Sequence, residues 1–171
     1  MKHARAFRNM TVSACITCSL FLGVAAPASA DTQPVSGIAA SVLGLAVSGA
    51  VVLTPLTPGS TSTGAGTVTV TSTGPWVLRV SDADASHPGH LLRTLGSTGT
   101  DFLASPLSWA TTPMAGATGG SGALSGTAAV AASGTLTNVV TVGFSQPIGA
   151  GELLSSGSDY GLTVTWTISP T

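Results

Sequence analysis

From Tyr160 to Ile168 the sequence alternates without a break. Tyr160, Leu162, Val164, Trp166 and Ile168 take one parity, and Gly161, Thr163, Thr165 and Thr167 take the other. A period of two is the mark of a strand with one buried face and one wet face. Threonine is a good strand former that wets a face without charging it. The pattern recurs upstream, where Val68 and Val70 alternate with Thr67, Thr69 and Thr71. After the turn signal Ser72-Thr73-Gly74-Pro75 come Trp76, Leu78 and Val80, again two apart, and Val140, Val142 and Phe144 repeat the pattern within Leu136–Phe144. Short alternating runs with frequent turn signals predict an all-β fold, an antiparallel, Ig-like β-sandwich of seven to nine short strands.

Some segments are less sharply patterned. The Val68 and Trp76 runs are so close that they read as the two arms of a hairpin. Val42–Val47, Ala50–Leu53 and Leu107–Ala110 give weaker strand signals, and the Ala and Leu content of Ile38–Val52 is also compatible with a helix. Ala115–Ser133 carries few large side chains and reads as loop around a weak strand at Ala128–Ala131.

The first thirty residues are of a different kind. Lys2, Arg5 and Arg8 precede an apolar stretch, Val12–Ala26, that is too short to span a bilayer, and Ala28-Ser29-Ala30 offers a small-x-small cleavage site. Residues 1–30 are therefore expected to be a signal peptide, with residues 31–171 forming one secreted domain. Cys15 and Cys18 fall inside the leader, so their spacing is not a redox or zinc motif. Nor does a cysteine that opens the apolar stretch fit a lipid-attachment site. Beyond residue 30 there is no Cys and no Lys, and Arg79 and Arg93 face six carboxylates, a formal charge of −4. Without clustered cations the chain has no handle for nucleic acid. No second apolar segment approaches membrane length and no L-P-x-T-G motif occurs, so no membrane or covalent wall anchor is expected.

Catalysis needs a nucleophile–base pair, a carboxylate pair or a metal site. No G-x-S-x-G elbow is present, and no Lys exists to complete a phosphate loop. The one constellation of interest is Asp82, Asp84, His87 and His90, four ligand types within nine residues. Asp, Ser, Pro and Gly are also the ordinary turn formers after a strand. The turn accounts for the same residues, so no metal or other cofactor is assigned and no enzyme is expected. Of the three tryptophans, Trp76 and Trp166 share faces with Leu and Val and read as core. Trp109 lies between Ser108 and Ala110 and reads as the more exposed one.

Two of these tryptophans carry a resemblance. Trp76-Val77-Leu78 is a W-x-L tripeptide, and Trp166-Thr167-Ile168 repeats it as W-x-[LI]. The closing run Tyr160–Ile168 resembles the Y-x-x-T-[LV]-T-W-x-L ending of the WxL surface domains of Gram-positive bacteria. The Thr/Val strand approach from Gly59 to Asp82 is similar to that family as well. Over residues 42–169 the resemblance implies a secreted, extracellular β-sandwich held non-covalently at the cell wall. Its partners would be peptidoglycan or another cell-wall glycan, and other surface proteins. Trp76, Leu78, Tyr160, Trp166 and Ile168 would be its motif residues, either wall-binding or core. From the residues themselves, the i, i+2 spacing is expected to pack the two motif pairs together in or near the core. If Trp166 faces inward, Trp166→Ala should cost about 3–5 kcal/mol. The alternative function is a structural subunit of an extracellular fibre or matrix that assembles through its sheet edges, because uncharged edges promote pairing.

Secretion is the expectation most directly checked. Protein recovered from the medium of a Gram-positive host should have Asp31 as its first residue by N-terminal sequencing. Protein retained in the cells with residues 1–30 attached would contradict it.

Overall fold

In a computed structural model the described residues are 41–93, 101–154 and 159–171, all within the compact unit Ile38–Thr171. The expected signal peptide, with Cys15 and Cys18, lies outside them. The described residues contain no helix and form eleven strands. These are β1 (Leu43–Val47), β2 (Thr61–Ser72), β3 (Trp76–Asp82), β4 (Leu92–Arg93), β5 (Ser108–Pro113) and β6 (Ala117–Gly119). The remaining five are β7 (Ser121–Ala123), β8 (Ala129–Gly134), β9 (Asn138–Pro147), β10 (Tyr160–Gly161) and β11 (Val164–Pro170). A five-stranded sheet, ordered β1-β2-β9-β5-β7, faces a four-stranded sheet, β11-β3-β8-β6, and β10 pairs with β4 apart from both. Every pairing is antiparallel. The fold is all-β, an open antiparallel sandwich.

The count exceeds nine because β4, β6, β7 and β10 are only two or three residues long. Such strands show no periodicity, and β6 and β7 are built from Ala, Thr, Ser and Gly. Much of the segment expected to be loop, Ala115–Ser133, is therefore paired strand. The described part of Ile38–Val52, from Ser41 on, contributes β1 and no helix, and Ala50–Leu53 is not a strand. The closing run also divides. Tyr160–Gly161 pairs with Leu92–Arg93, and Val164–Pro170 pairs with β3.

One expectation is overturned outright: β2 and β3 are not a hairpin. They lie in opposite sheets, joined by Thr73-Gly74-Pro75 as an arch. The Ser72 hydroxyl donates to the Gly74 carbonyl at 2.7 Å and accepts from the Gly74 amide at 3.2 Å, while the Thr73 amide donates to the Val42 carbonyl at 3.2 Å. The physical reason is the partner that β2 gains. Its ladder with β9 runs from Thr61↔Pro147 to Val70↔Asn138, longer than β3 could offer. The arch also turns the apolar parities of β2 and β3 toward each other, so that they form one core instead of one face.

That core contains Val68 and Val70 from β2, Val140, Val142 and Phe144 from β9, and Trp76, Leu78 and Val80 from β3. Trp76 is 1% exposed, and its indole N–H donates to the Leu136 carbonyl at 2.8 Å. It stands opposite Gly134 of β8, where an added Cβ would come within 2.7 Å of Trp76 Cζ2. Glycine at 134 is what lets the ring lie flat against the strand. A register shift beside Leu78 and Arg79 places both Ala131 and Ala132 in the core, where only small side chains fit. Trp109 is also core, at 3% exposure, which corrects its reading as the exposed indole. Its flanking residues Ser108 and Ala110 lie on the other face of β5, whereas Leu107, two residues before it, and Phe144, opposite it on β9, are buried with it in the core.

Trp76→Ala should therefore cost about 3–5 kcal/mol, from lost transfer free energy and the cavity left behind. Half-buried Trp166 should cost less than it would as a full core residue, about 1.5–3 kcal/mol when replaced by Ala. Urea denaturation of the two variants gives this order directly, and equal midpoints would refute it.

Candidate functional site: a cleft at the open seam

The sandwich is closed differently on its two sides. On one side the chain passes from β6 in the four-stranded sheet to β7 in the five-stranded sheet through Gly120 alone. The Gly120 amide donates to the Ala131 carbonyl and its carbonyl accepts from the Thr111 amide, both at 2.8 Å. That side is laced shut by backbone. On the other side the edge strands are β1 and β11, and no strand passes between them among the described residues.

Beyond β1 the chain leaves the β2 ladder and folds over the seam. Ser48 still pairs with Thr67, its amide donating to the Thr67 carbonyl at 2.8 Å and its hydroxyl accepting from the Thr67 amide at 2.9 Å. Thr54 does the same with Thr63, both bonds at 3.0 Å. Between these two clamps Val51 and Leu53 lean over Gly64 and Gly66, on the core parity of β2. A Cβ at Gly66 would meet Val51 Cγ2 at 2.8 Å, and one at Gly64 would meet Val51 Cγ1 at 2.8 Å. The two glycines make the socket into which Val51 fits.

What remains open is a cleft of about 930 Å³. Val47–Leu56 form one wall, and Tyr160–Val164 with Trp166 form the other. Val68, Leu91, Leu107, Val142 and Phe144 line it from the core. Hydroxyls of Ser48, Thr54, Thr67 and Thr163 interrupt the apolar lining, and Asp159 is the charged residue among the described lining residues. A largely apolar concavity with a few polar groups is the ordinary form of a ligand or peptide site.

The expected site residues divide across this geometry. β3 and β11 are neighbours, and in their register Leu78 stands opposite Ile168 and Val80 opposite Trp166, whereas Tyr160 lies on β10 opposite Arg93. Trp76 and Leu78 are fully buried and touch no solvent. Ile168 is half-buried against the core. Trp166 and Tyr160 are half-buried and line the cleft. Val51, Leu53 and Leu56 were not singled out by sequence. The signal available was the Gly64-x-Gly66 pair on one parity of a strand, which marks a close approach of another segment.

The Asp82, Asp84, His87 and His90 group is used in folding its own loop. Asp82 is buried, with Oδ2 accepting from the Gly89 amide at 2.7 Å and Oδ1 from the Asp84 amide at 3.1 Å. Asp84 Oδ1 accepts from the Ser86 amide at 2.7 Å. His90 Nδ1 lies 2.6 Å from the Leu103 carbonyl, so that nitrogen carries the proton and donates. The His87 ring lies against Phe102, with centroids 4.3 Å apart. Among the described residues no three His, Cys, Asp or Glu side chains are gathered as a metal site.

Gly66→Val should collide with Val51 and Ser48 and force the segment 49–53 out of its socket. A loss of about 1–3 kcal/mol is expected, together with a red shift of Trp166 emission as the cleft opens to water. An unchanged melting curve and spectrum would show that Val51 is not seated there. No protein-family model matches the chain, and neither a curated protein nor a solved structure matches it.

Proposed function

We propose that the protein is a secreted, non-catalytic module of the Gram-positive cell surface, related to the WxL domains and held at the wall without a covalent bond. Its partner in this reading is peptidoglycan or another wall glycan, alone or together with surface proteins. The observation that carries the reading is the placement of Trp166. It is the one indole not fully buried, and it lines an open cleft beside Tyr160, among hydroxyls and with no cation among the described lining residues. An accessible aromatic face next to hydroxyl groups suits a neutral sugar ring. A non-catalytic role is supported by Asp82 and Asp84, whose carboxylates are engaged by backbone amides. No helix among the described residues is long and apolar enough to cross a membrane.

A second reading, a subunit that assembles through its sheet edges, is favoured by one feature. Edge strand β11, Val-Thr-Trp-Thr-Ile-Ser-Pro, carries no charge, and charge is the commonest device that keeps an edge from pairing.

The wall reading is tested by mixing the secreted protein with washed Gram-positive walls and pelleting them. Binding by stacking and hydrogen bonding should survive salt that screens charge, since the Debye length falls to about 3 Å at 1 M. Protein left in the supernatant at every salt concentration would overturn the reading. Binding that disappears on adding salt would overturn the stacking mechanism.

A further inference from the structure

The outer face of the five-stranded sheet is built in rows. Thr63, Ser145 and Ser108 stand opposite one another on β2, β9 and β5, and so do Thr67, Thr141 and Thr112. Between these two hydroxyl rows lies a row of Ala65, Gly143 and Ala110, all three exposed. An open concavity of about 560 Å³ lies over this middle row and the Thr63 row. Strands are about 4.8 Å apart and same-face residues about 6.6 Å apart along each strand, which puts the two hydroxyl rows about 13 Å apart. The six hydroxyls make no hydrogen bond to other described residues. Elsewhere the chain uses its hydroxyls on its own backbone, as Ser62 does with Pro55, Thr54 with Thr63 and Ser48 with Thr67.

Gly143 is the residue that the packing of the domain does not require. Glycine weakens a strand interior, where it marks a bulge, a sharp bend or the close approach of another group. The ladders of β9 with β2 and β5 run through Gly143 without a register shift, and its φ is not left-handed. A Cβ at 143 would come no closer than 3.9 Å to a neighbour, the Ala110 carbonyl. Gly64 and Gly66 on β2 differ, since Val51 occupies the space that their side chains would take. What the missing side chain at 143 leaves is room outside the sheet, on the middle strand beneath the concavity.

The chemistry of the face selects the occupant. No charged residue occurs in β1, β2, β5, β7 or β9, so the sheet offers nothing to a phosphate polymer or a charged peptide. The three rows hold no Trp, Tyr or Arg anchor of the kind that fixes a protein partner. An acyl chain would cover the hydroxyls without bonding to them, which is costly once water is displaced. A neutral glycan meets both kinds of row, its C–H faces resting on Ala65, Gly143 and Ala110 and its hydroxyls bonding to the Thr and Ser rows. We propose that this trough binds a neutral glycan chain laid across the strands, at a site apart from the Trp166 cleft, a proposal that rests on the wall reading above. Each hydroxyl bond replaces one to water and contributes little by itself, so the contact depends on a chain that spans β2, β9 and β5 together.

Secreted protein is pelleted with insoluble chitin, a neutral polymer of N-acetylglucosamine, and separately with washed Gram-positive walls. Gly143→Val puts a branched side chain into the trough on a strand that favours one. It should melt no lower than the parent and weaken chitin binding at least about tenfold. A second variant, Thr63→Val with Ser108→Ala and Ser145→Ala, removes one hydroxyl row without adding bulk and should weaken binding in the same direction. None of the four altered positions lines the cleft. If Gly143→Val melts lower, the hydroxyl-row variant alone decides. Chitin binding that is unchanged in both variants, or absent in the parent, overturns the trough, and binding to walls then leaves the wall reading standing. A parent protein that binds neither chitin nor walls overturns both.

Discussion

The arch between Ser72 and Trp76 is the constraint on which the rest of the structure depends. By sending β2 and β3 into opposite sheets it turns two apolar parities toward each other. The Trp76 indole then lies between the layers, on Gly134 and bonded to the Leu136 carbonyl. Had the same residues closed as a hairpin, Val68, Val70, Trp76 and Leu78 would form one broad apolar face with nothing opposite. Burial of such side chains stabilises by about 1.5–3 kcal/mol each, and the described domain contains no disulfide to supplement it. The two-layer arrangement is therefore what makes the domain self-supporting.

A sandwich built this way has two seams, and the chain treats them unequally. At one, Gly120 carries the backbone from sheet to sheet, and its hydrogen bonds to Thr111 and Ala131 tie the layers together. At the other, among the described residues, the side chains of Val51, Leu53 and their neighbours reach across, seated over Gly64 and Gly66. Closure by backbone hydrogen bonds is directional and hard to reopen. Closure by a few apolar side chains on a clamped loop leaves volume behind. The chemistry of this second seam is unfinished: an apolar lining, a few hydroxyls and a half-buried indole meet there.

The scarcity of charge has a structural side as well. Ordinary edge strands deter pairing with Lys, inward-pointing charges or Pro. β11 has only Pro170, at its last position. The carboxylates that the chain does have are mostly used in loops. Asp82 gathers the turn that follows β3, and Glu152 accepts from the amides of Ala104 and Gly149. These charges order connections, and the edge strands β1, β6, β7 and β11 of the two larger sheets carry none.

The strands with a full period of two were legible from sequence: β2 at Val68–Val70, β3, β9 and most of β11. The turn residues around Asp82 were legible too, because Asp, Ser, Pro and Gly act locally. What was not legible depended on partners distant in sequence. Thr73-Gly74-Pro75 reads as a turn whether it closes a hairpin or an arch, and the long ladder between β2 and β9 decided for the arch. Trp109 is flanked in sequence by Ser108 and Ala110, and it is buried because its strand pairs with β9, where it stands opposite Phe144. The sequence determined the class of fold, the wet and buried faces of the long strands, and a chain poor in charge. The tertiary structure alone decided which strands pair, that Trp76 is sealed while Trp166 stays half-open, and where the cleft lies. Local periodicity specifies a face, but the neighbour that covers the face is chosen by contacts between residues far apart in the chain.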